Sequence, residues 1–127
     1  VKTDLIVRGI CCLIPGRKFS RNIRVTRIVD TFLEHARVWY FGNGGKPKLF
    51  LGSPDWMRRN LSRRIEAVTP ILDPDLKREL SDMLSIQLSD KRKACFVDDR
   101  LHNRWKSARP QKEKIRAQYT FYEYLKS

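Results

Sequence analysis

The chain has 127 residues, 41% hydrophobic and 32% charged, with 27 Lys and Arg against 14 Asp and Glu, giving a formal net charge of +13. That size suits one domain, residues 1–127, with a core of its own, and no apolar run approaches the ~20 residues that span a bilayer. The charge excess repels itself and attracts polyanions: nucleic acid, nucleotides, polyphosphate, anionic lipid or an acidic neighbouring domain are candidate partners, and a solvated basic face is the plainer alternative.

No signal peptide is visible. The chain opens Val1-Lys2-Thr3-Asp4 without Met and enters a strand almost at once, so the expectation is a fragment of a longer protein. Residues 4–9 read as a short buried strand, continued or followed by residues 10–14. Cys11 and Cys12 stand inside that apolar run, and with Cys95 they form no metal spacing and no even disulfide set; they are expected as buried thiols in a reducing compartment. Pro15-Gly16 opens a basic turn. Residues 23–29 alternate as a strand does, although Val25, Ile28, Val29, Phe32 and Leu33 also fit a helix. Residues 37–41 predict a strand, Gly42-Asn43-Gly44-Gly45 a turn with glycines available for positive φ, and residues 48–52 the returning strand.

Ser53-Pro54-Asp55 has the form of a helix start: Ser as N-cap, Pro at the first helical position, a carboxylate in the first turn. Residues 64–71 read as another strand. Asp73-Pro74-Asp75 repeats the helix signal, and Leu76, Leu80, Met83, Leu84 and Leu88 share one helical face, predicting a helix over 74–89. Residues 93–97 predict a strand, residues 98–109 a polar basic loop, and Ile115, Tyr119, Tyr122 and Leu125 a final helix from about Pro110. Strands alternating with helices give an α/β sandwich around one central sheet.

Of the two histidines, His102 lies in the polar stretch Leu101-His102-Asn103-Arg104 and reads as an exposed loop residue. His35 precedes an apolar strand and follows Glu34, which is placed to orient its ring. Arg37 is two residues on, toward the same strand face, and Arg8 lies at the carboxyl end of the first strand, where ligands of open α/β sheets collect. Arg64 and Glu66 also share a strand face; they form either a structural ion pair or a guanidinium set by a carboxylate for bidentate phosphate contact. A neutral imidazole, cations and nearby helix amides suit phosphoryl chemistry. Arg58, Arg59, Arg63 and Arg64 surround one short helix, and the basic tail from Arg104 to Arg116 offers a second surface for a polyanion. There is no P-loop, dinucleotide glycine fingerprint, Cys/His metal spacing or nucleophile elbow.

The strings LIVRGICCL, NIRV, IVD, FLEH, FGNGG, DWMRRNL, RRIE and KIRAQ, taken in order along the chain, resemble the C-terminal domain of bacterial polyphosphate kinase. That resemblance implies a phospholipase D-like sandwich, a mixed central sheet flanked by helices. A phospholipase D half-site runs His-x-Lys, an acid, then Gly-Ser-x-Asn; here stand His35-Ala36-Arg37, Gly42 and Gly52-Ser53-Pro54-Asp55. Arg for Lys and Gly for the acid argue against phosphodiesterase activity. The resemblance implies reversible transfer of the ATP γ-phosphate to polyphosphate, with the phosphohistidine in a preceding domain of the same chain. It gives His35 as general acid or base and phosphate contact, and Arg8 as a nucleotide-phosphate ligand. Arg64 and Glu66 then line the wall of the same site, and Arg37 joins them in lining the polyanion path. It further implies Mg²⁺ arriving with ATP and held mainly by the preceding domain, ATP/ADP and inorganic polyphosphate as partners, no specific nucleic acid, and a homo-oligomer at full length. The expected place is the cytoplasm, with the inner-membrane periphery as the alternative. A basic polyanion or nucleic-acid-binding module, or half of a phospholipase D-like nuclease, are the competing readings.

Overall fold

The computed structural model describes residues 1–107 and 115–126. In chain order the elements are β1 (Thr3–Val7), β2 (Ile23–Ile28), β3 (Val38–Phe41), β4 (Lys48–Gly52), α1 (Arg58–Arg63), β5 (Val68–Ile71), α2 (Pro74–Ser89), β6 (Ala94–Val97), β7 (Asn103–Trp105) and α3 (Ala117–Lys126). They fall into two compact units, Glu34–Asp82 and the remainder. The strands form two sheets, not the single one expected.

The first unit carries a mixed four-stranded sheet ordered β1-β2-β6-β7. β1 runs parallel to β2, and β2–β6 and β6–β7 are antiparallel. β2 is paired on both edges, and Val25, Thr26 and Ile28 are all buried. Hydrogen bonds on both sides and burial on both faces decide between the strand and helix readings of this segment. β7 lies in the stretch expected to be loop. It is an all-exposed edge strand paired only with β6, so no apolar alternation marks it. The expected start of the last helix, about Pro110, lies outside the described residues; α3 is described from Ala117.

Asp90 ties this unit together. It is fully buried; its Oδ1 accepts the backbone N–H groups of Arg92 (2.8 Å), Lys93 (2.6 Å) and Ala94 (2.9 Å), and its Oδ2 that of Ala117 (2.7 Å). One carboxylate thus joins the entry to β6 with the start of α3. Beside it, Arg116 donates two bonds to the Asp30 carboxylate, at 2.8 and 2.6 Å. The Gln118 amide pairs with the backbone of Phe32 in both directions. The buried thiols expected at Cys11 and Cys12 are not found: Cys11 is only half-buried and Cys12 is exposed, because the run beyond β1 does not continue as a strand, whereas Cys95 in β6 is buried. Only β1 of the expected run forms, and Ile10 beyond it is exposed.

The second unit is the antiparallel meander β3-β4-β5, with Leu49 buried at its centre. The turn after β3 uses the predicted freedom: Asn43, Gly44 and Gly45 all have positive φ, at 45°, 60° and 88°. Pro70 sits in β5, an edge strand, where its missing N–H costs no ladder bond on the free side. Two boundaries differ from expectation. β5 begins at Val68, so Arg64 and Glu66 precede the strand. The helix expected from Ser53 begins only at Arg58: the Ser53 hydroxyl is engaged by Glu66 and Ala67 and does not cap it. α2 keeps its predicted limits: Asp73 Oδ1 accepts the N–H groups of Asp75 and Leu76, both at 2.9 Å, with Pro74 at the first helical position. Its apolar face is only half-buried, and Leu76 is exposed.

Candidate functional site

The second unit's sheet brings the end of β4 against the residues that lead into β3. Gly52 donates its N–H to the Arg37 carbonyl at 3.1 Å. A Cβ on Gly52 would lie 2.5 Å from Trp39 Cζ3 and 2.7 Å from Cη2, so only glycine lets the chain pass this indole. The segment beyond is held from the other side: Ser53 N–H donates to the Ala67 carbonyl at 2.9 Å, Ser53 Oγ accepts the Ala67 N–H at 3.1 Å, and the same hydroxyl donates to Glu66 Oε2. Residues 52–55 are therefore pinned between β3 and the approach to β5.

That placement sets Asp55 beside Arg37. Arg37 Nε donates to Asp55 Oδ1 at 2.9 Å, its Nη1 donates to the His35 carbonyl at 3.2 Å, and its Nη2 lies 3.0 Å from His35 Nε2. The guanidinium folds back over the histidine two residues earlier in the chain. The bond to Asp55 pushes the Arg37 pKa up, with help from the Glu66 charge. The bond from Arg37 holds the Asp55 carboxyl below the usual carboxylate range, with the Arg59 charge adding to the effect. Asp55 is thus ionised near neutral pH and Arg37 is a permanent cation. A histidine, a fork of guanidinium donors and a supporting carboxylate on a partly exposed surface can bind an anion and move a proton.

Of the predicted residues, His35, Arg37 and Glu66 come together here. Arg64 is exposed, and Glu66 bonds Ser53; among the described residues there is no Arg64–Glu66 ion pair. Arg8 belongs to the first unit, exposed just past β1. His102 is exposed, as expected, with Nδ1 3.6 Å from Asp98. Lys106 is no free tail cation: its Nζ donates to the Leu88 carbonyl at 2.8 Å, and burial lowers its pKa. Ser53 and Asp55 carry the local pattern of a helix start, which conceals their part in the site. The one signal pointing elsewhere was their place in the Gly-Ser-x-Asn position. No group of three His, Cys, Asp or Glu able to hold a metal occurs among the described residues. With Asp55 bound to Arg37 and Glu66 to Ser53, the site's carboxylates do not fit a Mg²⁺ ion.

A family model described as polyphosphate kinase C-terminal domain 2 matches residues 1–118. The chain belongs to the polyphosphate kinase family. The polyphosphate kinase of Escherichia coli (strain K12) is 48% identical over 128 residues, covering 100% of this chain and 18% of that protein. That of Synechocystis sp. is 56% identical over 95 residues, covering 74% of this chain and 13% of the relative. The crystal structure of polyphosphate kinase from Porphyromonas gingivalis superposes with a TM-score of 0.92 at 56% identity, over 99% of this chain and 19% of that one. The chain therefore spans less than a fifth of the length of each of these relatives. The mixed α/β architecture agrees with the phospholipase D-like expectation. No helix among the described residues is long and apolar enough to cross a membrane.

Proposed function

We propose that this chain supplies one half of the active site of an ATP:polyphosphate phosphotransferase, which reversibly moves the ATP γ-phosphate onto polyphosphate. The observation that carries the reading is Arg37, anchored by Asp55 and laid against His35. Phosphoryl transfer asks for positioning and charge neutralisation more than for covalent chemistry from every residue. The Nη1 and Nη2 groups match two phosphate oxygens, and the His35 imidazole serves as acid or base toward a phosphate oxygen. Arg8 is assigned to the nucleotide phosphates, and Arg64 and Glu66 to the wall of the site. The exposed Arg58, Arg59 and Arg63 of α1 add positive potential for a long polyanion. In this reading the phosphohistidine belongs to a preceding domain, Mg²⁺ arrives with ATP and is held mainly there, the full-length enzyme is a homo-oligomer, and it works in the cytoplasm or at the inner-membrane periphery.

The test is binding of long-chain polyphosphate at several salt concentrations. His35→Ala, Arg8→Ala and Arg37→Ala are measured beside wild type and the surface control Arg21→Gln. Loss of the Arg37 fork is expected to weaken binding roughly tenfold, well beyond the control. Equal, salt-sensitive binding by all variants would reduce the chain to a generic polyanion module.

A further inference from the structure

A guanidinium has only donors. With Arg37 Nη2 3.0 Å from His35 Nε2, that nitrogen must accept, so the ring proton sits on Nδ1. A doubly protonated ring has no lone pair at Nε2 and is incompatible with this contact. The same arginine spends Nε on Asp55 at 2.9 Å and Nη1 on the His35 carbonyl at 3.2 Å. The edge used for Asp55 is distinct from the Nη fork, so the two can be held independently. We propose that Asp55 is a positioning residue: by anchoring Arg37 through Nε it lays the fork across His35 and keeps Nε2 masked until a phosphate takes the fork.

The exchange follows from acceptor strength. A phosphate carries charge and offers paired oxygens at the spacing of the fork, whereas the imidazole nitrogen and the peptide carbonyl are neutral. Arg37 turns its Nη groups to the incoming anion while Asp55 retains Nε, and Nε2, which holds a lone pair and no proton, is left free to accept one. Glu66 and Arg59 also face this cluster electrostatically, Glu66 toward Arg37 and Arg59 toward Asp55. A ring nitrogen released only by its substrate would exchange no proton in the empty site. The identity of the arriving anion rests on the phosphoryl-transfer reading; the ligand-free arrangement does not.

The chain contains two histidines, so His102→Gln leaves His35 as the sole reporter. Histidine-labelled protein is studied by long-range ¹H–¹⁵N correlation at alkaline pH, where the ring is neutral and its tautomer is read directly. The expected ligand-free state is Nδ1–H. Adding tripolyphosphate should swing the ratio several-fold toward Nε2–H, the form a free histidine prefers. Asp55→Ala should produce the same swing without ligand, with Asp55→Asn, which keeps an acceptor oxygen, intermediate. Nε2–H dominance in the empty wild-type site would overturn the proposal, as would an Nδ1–H signal unmoved by either Asp55→Ala or bound tripolyphosphate. If Asp55→Ala loses its amide dispersion, Asp55→Asn and the titration decide. Tripolyphosphate binding that depends on His35 and Arg37 but leaves the tautomer fixed would sink the masking and spare the functional reading. Absence of binding, with the Asp55 dependence intact, would sink that reading and the release by phosphate, and leave the positioning.

Discussion

Replacing Asp90 with alanine removes the acceptor for four backbone N–H groups at once, those of Arg92, Lys93, Ala94 and Ala117. The first two belong to half-buried residues, and water can reach them. Ala94 and Ala117 are 0% and 1% exposed, so their donors have no replacement partner. Two orphaned buried donors at about 1–3 kcal/mol each put the cost near 4 kcal/mol, a large share of the roughly 5–15 kcal/mol that holds a domain together. Asp90→Asn keeps one oxygen for the first three donors but turns an amide N–H toward that of Ala117, for about 2 kcal/mol. Urea unfolding followed by circular dichroism checks the order: wild type above Asn above Ala, with a midpoint shift of about 2 M for Ala at a typical slope. An Ala variant within about 1 kcal/mol of wild type would mean the carboxylate is not what closes these groups, and the reasoning would fail.

Acid should weaken the first unit through Asp30. The bond from Arg116 depresses its folded-state pKa, so its contribution is complete above the unfolded value of about 4 and is lost as pH falls through the lower folded one; Asp30→Asn should flatten that part of the stability–pH curve. Gly52→Ala drives a Cβ into the Trp39 ring, at 2.5 Å before relaxation. It should cost about 1–3 kcal/mol and weaken polyphosphate binding by shifting the 52–55 segment, whereas unchanged stability would show that the indole moves aside freely. A thiol reagent should modify exposed Cys12 first and Cys95 last, since burial also pushes the Cys95 pKa up; fast labelling of all three in the folded chain would contradict the burial described.

The strands β3 and β4, the turn between them and the whole of α2 were legible in the sequence because their signals are local: apolar runs, glycines at positive φ, an Asp-Pro helix start. His35 and Arg37 were legible as a pair for the same reason. Arg64 and Glu66 share the alternation of a strand that begins only at Val68, and β7 carries no apolar alternation to set it apart from loop. In both cases the deciding interactions come from chain far away, the Ser53 hydroxyl for Glu66 and the free edge of β6 for β7.

The sequence alone determined β3, β4 and α2, the basic balance, the family and the histidine–arginine pair, since each depends on residues close in the chain or on composition. Only the tertiary structure decided that Asp55 holds Arg37, that Glu66 turns to Ser53 and that Asp90 closes four backbone donors. Ser53-Pro54-Asp55 satisfies the rules of a helix start, and a local pattern has no means of registering that Ala67, Glu66 and Arg37 have already claimed its polar atoms.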